Sequence, residues 1–123
     1  MKTVLVVDDS ETIRHQVKSA LSGAGFAVLE AIDGFEALDR IDNHPEISLV
    51  ILDVNMPRMG GLEMLEAMRG RPKVAKVPVL ILTTEAQESL IARAKNAGAK
   101  GWVVKPVNTE LLVGAVKKIT VSV

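Results

Sequence analysis

The feature that most constrains this chain is a fivefold alternation of short apolar runs with longer segments of helical period. Between the runs, apolar residues recur at intervals of three and four, as in Ile13, Val17 and Leu21. Such alternation is typical of βα units arranged around a parallel sheet, and it predicts an α/β fold. The five predicted strands are residues 3–7, 27–31, 49–52, 79–83 and 101–104.

Four of these runs are almost continuously apolar, which predicts strands covered by helices on both faces. The run 27–31 differs because it contains Glu30. A charged residue inside the run favours a position at the edge of the sheet.

Turn and capping residues mark the predicted helix ends. Ser10, Asp33 and Asn108 have the short polar side chains that cap helix N-termini. Pro72 predicts that the third helix has ended before it. Because five βα units account for the whole length, we expect one domain over residues 1–123 and no separate output domain.

Composition excludes several classes of function. The 15 basic and 15 acidic residues balance, so no overall field attracts nucleic acid or an anionic membrane. Phe26, Phe35 and Trp102 are the only aromatic residues, too few for a base-stacking platform. The absence of Cys fits a reducing compartment. No apolar run is long enough for a signal peptide or a membrane span, so we expect a cytoplasmic protein.

Reactive side chains follow the predicted strands where each strand ends. Asp8 and Asp9 come after the first strand, Asp53 after the third and Lys105 after the fifth, while Thr83 ends the fourth. The carboxyl ends of parallel strands share one edge of a sheet, where such folds bind ligands. We therefore expect three carboxylates, a hydroxyl and an amine to converge there.

Each of these residues also has an ordinary structural interpretation. An acidic pair before a helix commonly caps it, and an Asp before a Pro-containing loop commonly forms a turn. Thr83 suits a strand because it is β-branched, and Lys105 could be a solvated loop residue. All of these at one sheet edge would require several independent coincidences, so we favour a common function.

Clustered carboxylates repel one another unless they take up protons or bind a cation. A ligand set made only of oxygen suits Mg²⁺. With Mg²⁺ and Lys105 nearby, Asp53 could remain ionised and attack phosphorus directly. The Thr83 hydroxyl could donate to another phosphoryl oxygen, and the product would be an aspartyl phosphate.

Type, order and spacing of these residues carry a family resemblance. The chain resembles the receiver domain of two-component response regulators in four places: VLVVDDS at 4–10, LDVNMPRMGG at 52–61, Thr83, and WVVKP at 102–106. Within that family the chain most resembles the CheY-like chemotaxis regulators. The resemblance implies a flavodoxin-like (βα)5 fold with strand order 2-1-3-4-5, and this order follows from the resemblance alone.

The resemblance also implies the role of each site residue. Asp53 would be the phosphoacceptor, and it would hold Mg²⁺ together with Asp8, Asp9 and the backbone carbonyl of Asn55. Lys105 would contact the phosphoryl group.

Further roles concern signal transmission and phosphoryl lifetime. Thr83 would be the switch hydroxyl, and Trp102 would occupy the position of an aromatic residue that turns inward on activation; the alternative for Trp102 is a half-exposed packing residue. This movement would alter the face formed by the fourth helix, fifth strand and fifth helix. Asn55, Thr84 and Glu85 would tune how fast the phosphoryl group is accepted and lost. The peptide bond between Lys105 and Pro106 would be cis.

We therefore expect a signalling phosphoacceptor, not an enzyme with a separate substrate. A histidine kinase would donate the phosphoryl group, and a protein such as the flagellar motor switch would bind the phosphorylated form. Alternatives within the family are a phosphorelay intermediate or a receiver fragment of a larger regulator.

Three functions outside the family remain as alternatives. A small Mg²⁺-dependent phosphohydrolase with an Asp nucleophile would use Asp53, but its usual second acid is replaced by Asn55. A flavodoxin-like cofactor carrier is disfavoured because Asp8 and Asp9 would repel a cofactor phosphate. A phosphorylation-independent interaction module would not need the acids, hydroxyl and lysine together.

Overall fold

The computed structural model describes residues 1–72 and 74–121. In these residues, strands and helices alternate along the chain. The elements are β1 (Thr3–Val7), α1 (Glu11–Gly23), β2 (Ala27–Ala31), α2 (Gly34–Asn43), β3 (Ile47–Leu52), α3 (Gly61–Arg69), β4 (Val79–Thr83), α4 (Glu88–Asn96), β5 (Gly101–Val104) and α5 (Thr109–Val121). The expected domain, 1–123, also includes residues 73, 122 and 123, which lie outside the described residues.

The strands form a parallel sheet in the order β2-β1-β3-β4-β5. This order confirms the predicted flavodoxin-like fold, and it confirms the edge position of β2. The pairing aligns the last residues of β1 and β3, since Val7 lies opposite Leu52, while β4 continues two residues beyond Ile81, the partner of Leu52. The residues that follow β1 and β3 are therefore neighbours across the sheet.

Two details of the strands differ from prediction. Strand β3 begins at Ile47, two residues earlier than expected, because backbone pairing with Thr3 of β1 extends it past the polar Ser48. The expectation that residues 101–104 are covered on both faces is wrong. Strand β5 is half-buried, and Val104 is 46% exposed, because β5 is an outer strand paired only with β4.

Successive residues of a strand contribute in turn to two apolar layers, one on each face of the sheet. Leu5 and Val7 point into a layer completed by α2, α3 and α4. Val4 and Val6 point into the opposite layer, which is completed by α1 and α5. The central strands are thus covered on both faces, and the candidate reactive residues lie at the strand ends.

The predicted helix ends are confirmed. Ser10 accepts a hydrogen bond from the Ile13 amide, and Asn108 accepts one from the Leu111 amide, at 3.3 and 3.1 Å. Helix α3 ends at Arg69, before the Pro72 that was expected to follow it. Among the helices described, none has the length and hydropathy to cross a membrane.

Candidate functional site

Backbone hydrogen bonds continue past the strand ends and fix the first site residues. The amide of Asp53 donates to the Val7 carbonyl at 3.0 Å, and that of Asp8 donates to the Ala31 carbonyl at 3.1 Å. On the β5 side, the amide of Lys105 donates to the Thr83 carbonyl at 2.8 Å. The backbone of each of these residues is therefore hydrogen-bonded to the neighbouring strand or to the residue that ends it.

Three carboxylates meet at this edge. Asp8, Asp9 and Asp53 each offer an oxygen, and these oxygens lie within 4.8 Å of one another. Asp8 and Asp53 are 2% and 6% exposed, whereas Asp9 is exposed. Two carboxylates of the cluster are thus buried, and the third is open to solvent.

Lys105, which follows the outer strand β5, extends its side chain to the cluster. Its Nζ donates to Oδ2 of Asp8 at 2.7 Å and to Oδ2 of Asp53 at 3.3 Å. Burial alone would lower the pKa of Lys105, but the hydrogen bond to Asp8 and the charges of Asp53 and Asp8 outweigh it. The pKa of Lys105 is therefore raised, and the amine is a fixed positive charge at neutral pH.

The charges and donor atoms of this cluster fit a divalent cation. Three carboxylates and one ammonium leave two unbalanced negative charges at the edge of the sheet. All the available ligand atoms are oxygens, and the open side at Asp9 leaves room for retained waters. This is the environment that Mg²⁺ prefers. The site residues therefore suit Mg²⁺ in both charge and chemistry.

Asp8 is held by contacts that the sequence analysis did not predict. Its Oδ1 accepts from the Ser10 amide at 2.9 Å, and its backbone carbonyl accepts from Nη1 of Arg14 at 2.8 Å. Arg14 is itself fixed by Glu30 of β2 at 3.1 Å. Only the position of Arg14, one helical turn after Ser10, hints at this role in the sequence.

A chain of hydrogen bonds joins the site to β5 through the segment after β4. The side-chain amide of Asn55 donates to Oε1 of Glu85, and the indole N–H of Trp102 donates to the Glu85 carbonyl, both at 2.9 Å. The Glu85 amide in turn donates to Oγ1 of the fully buried Thr83 at 3.4 Å. Glu85 thus contacts three of the residues that the resemblance associates with switching and tuning.

The remaining predicted residues are placed as follows. Thr84 is exposed beside this segment. The Asn55 amide donates to Oδ1 of Asp53 at 3.3 Å, so the backbone of Asn55 lies beside the carboxylates. The peptide bond between Lys105 and Pro106 is cis.

The loop after β3 is held on its other side by a pair that sequence reasoning did not connect. Asp33 was predicted only as the cap of α2, which it is, accepting from the Glu36 amide at 2.9 Å. It also accepts from Nε of Arg58 at 2.7 Å. Since 25 residues separate the pair, no local sequence pattern could have revealed it.

Comparison with known proteins identifies the family. The model of the response regulator receiver domain matches residues 4–117, nearly the whole chain. The chain belongs to this family. Its members are signalling regulators, and the function of the chain is that of a CheY-like receiver in two-component signalling. The chemotaxis protein CheY1 of Helicobacter pylori is 36% identical over 110 residues, covering 89% of each chain.

Solved structures agree with this assignment. The chemotaxis protein CheY4 of Vibrio cholerae is 40% identical and superposes with a TM-score of 0.90 over 97% of this receiver and 98% of that chain. The CheX-CheY-BeF3-Mg²⁺ complex of Borrelia burgdorferi matches with 31% identity and a TM-score of 0.89. The match covers 96% of this receiver and 88% of that chain. The receiver fold and the similarity to chemotaxis regulators thus follow from overall sequence and structure, independently of the geometry of the acidic cluster.

Proposed function

We propose that this receiver accepts a phosphoryl group on Asp53, in a reaction that depends on Mg²⁺ bound by Asp8, Asp9, Asp53 and the backbone carbonyl of Asn55. The observation that carries the proposal is the position of Lys105, whose amine lies 2.7 Å from Asp8 and 3.3 Å from Asp53. A cation among clustered carboxylates next to an open side is an arrangement suited to receiving a phosphoryl group.

In the proposed reaction, a carboxylate oxygen of Asp53 attacks the phosphorus of a phosphohistidine. The new O–P bond forms while the P–N bond breaks, and its electron pair returns to the imidazole of the donor. Asp53 requires no general base because the attacking carboxylate carries no proton to remove. Bound Mg²⁺ would supply positive charge to the phosphoryl oxygens during transfer.

Two side chains of the receiver would contact the transferred group. Lys105, already charged and pointed at Asp53, would shift from the carboxylates to a phosphoryl oxygen. Thr83 lies buried at the end of β4, and its hydroxyl hydrogen is not committed by the bond that it accepts from Glu85. It would donate that hydrogen to a second oxygen, and the segment after β4, whose Glu85 amide donates to this hydroxyl, would move with it.

That movement would transmit the signal to the surface formed by α4, β5 and α5. Glu85 follows Thr83 by two residues, and its carbonyl holds the indole of Trp102 on β5. A shift of this segment toward the phosphoryl group would therefore change the position of Trp102. Access of water to the phosphoryl group would be set by three residues near the site. Asn55 and Glu85 are hydrogen-bonded to each other, and Thr84 is exposed.

The phosphodonor would be a histidine kinase, and the phosphorylated receiver would bind a target protein. The chemotaxis relatives favour the flagellar motor switch as the target and a cytoplasmic location. The Borrelia burgdorferi neighbour, described as a complex with CheX, BeF3 and Mg²⁺, supports both the metal and a protein partner.

The experiment is incubation with acetyl phosphate and Mg²⁺, followed by intact-mass measurement and Trp102 fluorescence. We expect one phosphoryl group that is stable to acid and labile to alkali, together with a change in the signal of the single tryptophan. Asp53→Asn should abolish labelling, while Asp42→Asn, at an exposed position of α2, should label normally. Turnover of many phosphomonoesters without a stable acyl phosphate would instead indicate a phosphohydrolase.

A further inference from the structure

The loop between β3 and α3, residues 53–60, carries Asp53 and Asn55 at one end and is attached to α2 at the other. Nε of Arg58 donates to Oδ2 of Asp33 at 2.7 Å, and a second guanidinium nitrogen contacts the same oxygen. The guanidinium also lies over the ring of Phe35, 5.6 Å from its centroid. Arg58 thus makes a charged and an aromatic contact with the first turn of α2.

The anchor on α2 is rigid. Asp33 is 1% exposed, and its other oxygen accepts from the Glu36 amide, so the carboxylate is fixed by the helix that it caps. Burial alone would raise the pKa of Asp33, but the Glu36 amide and Arg58 outweigh it and hold the pKa below its usual value. The carboxylate therefore stays charged, as a partner for a guanidinium must.

The loop side of this contact adopts a backbone conformation that the surroundings must enforce. Arg58 has φ of 65°, in the left-handed region that residues other than glycine rarely occupy. Such a conformation persists only where neighbouring contacts over-determine it, and it clusters at functional sites.

A second contact locks the next residue of the loop. The Gly34 amide donates to the Met59 carbonyl at 3.3 Å. A Cβ at position 34 would lie 2.7 Å from Cγ of Met59, so the two loops touch as closely as glycine allows. Contacts at two successive residues fix both the position and the direction of the loop.

We propose that Asp33 and Arg58 are positioning residues that hold the β3–α3 loop in the conformation required for metal binding and phosphoryl acceptance. The inference rests on the proposed function, since it concerns the ligands assigned there. Arg58 follows Asn55 by only three residues, and the Asn55 amide is already hydrogen-bonded to Asp53. Releasing Arg58 would allow the Asn55 carbonyl to leave the carboxylates, and the metal would lose an oriented ligand.

Two substitutions break the pair with little other damage. Arg58→Gly removes the side chain at a residue where glycine is conformationally favoured. Asp33→Asn removes the charge but retains an oxygen to cap α2, and Asn is as good a cap as Asp. The matched control is Asp42→Asn, which removes an aspartate paired with Arg71 at 2.9 Å on the exposed side of α2.

Three measurements on the full chain test the proposal: calorimetric Mg²⁺ affinity, amide hydrogen exchange at residues 54–56, 58 and 59 without Mg²⁺, and the rate of labelling by acetyl phosphate. Residues that orient metal ligands typically contribute about tenfold or more to affinity. We expect both variants to bind Mg²⁺ about tenfold more weakly, to exchange these amides faster and to label more slowly at limiting Mg²⁺. Arg58→Lys, which keeps the charge without the planar fork, should lie between them and the unsubstituted protein.

Unchanged Mg²⁺ affinity in both variants would overturn the proposal, even with faster exchange, because the pair would then only stabilise the loop. An equal loss of affinity in Asp42→Asn would overturn it too, by showing a general effect of charge. Failure of the unsubstituted protein to become labelled would contradict the proposed function instead. The affinity and exchange measurements would still decide the role of the pair.

Discussion

The centre of the sheet and its β5 side are constructed differently. All five residues of β1 are buried, and Asp8 after it is 2% exposed. By contrast, no residue of β5 is fully buried, and α4 buries only Ala94. The acidic residues of the site thus lie at the end of the rigid centre, and the surface proposed to respond to phosphorylation lies on the less buried side. Regions with few buried apolar contacts open more easily, which suits an element that must move.

The largest expected difference between the two regions concerns stability. Leu52 of β3 is fully buried, so Leu52→Ala should lower the free energy of unfolding by about 2–5 kcal/mol. Leu111 of α5 is 68% exposed, and Leu111→Ala should change the free energy of unfolding by less than about 0.5 kcal/mol. Urea unfolding monitored by circular dichroism measures both. Similar losses for the two variants would contradict the placement of Leu52 in the buried centre and of Leu111 on the solvent-exposed surface of α5.

A smaller effect should come from the charge that links the two regions, since Lys105 follows β5 and contacts the carboxylates of β1 and β3. With EDTA present, Lys105→Met should lower the free energy of unfolding because Asp8 and Asp53 lose their cation. The raised pKa of Lys105 means that this stabilisation is complete below the unfolded-state value, about 10.4, and is lost as pH rises through the folded-state value.

The gap between the unsubstituted protein and Lys105→Met should therefore stay constant from neutral pH to about pH 10 and close above it. The chain has no Tyr and no Cys, and the eight other lysines, which titrate in the same range, are common to both proteins. Lys95→Met, at an exposed position of α4, serves as the control. A gap that widens at high pH would show that the Lys105 ion pairs do not stabilise the fold.

The smallest expected effect is a difference in local opening. Under native conditions, hydrogen-bonded amides of β5 and α4 should exchange at least tenfold faster than those of β1 and β3, after correction for intrinsic rates. This corresponds to opening free energies lower by at least about 1.4 kcal/mol. Hydrogen exchange followed by NMR measures the difference residue by residue. Uniform protection across the sheet would mean that β5 opens only by global unfolding.

The strands show how far sequence patterns reach. The bounds of β1, β2, β4 and β5 match the apolar runs, because burial on the sheet faces selects apolar residues. The start of β3 and the exposure of β5 did not follow from the same patterns. The first depends on pairing with Thr3, and the second on a place at the edge of the sheet, so neither is encoded in the run itself.

The site divides in the same way. That Asp8, Asp53 and Lys105 would meet could be argued from their positions at strand ends, because parallel strands bring those ends to one edge. The ties of Glu85 to Asn55 and Trp102 join residues far apart in the chain, and only the folded structure shows them.

The sequence by itself determined the α/β alternation, the chemistry available at the sheet edge and the family, since periodicity and residue type are local properties. Only the tertiary structure decided which charges pair. Arg58 takes up a left-handed backbone conformation beside Asp33, 25 residues away, because two loops that follow different strands are packed against each other. Such a contact depends on the relative position of elements, which no short stretch of sequence records.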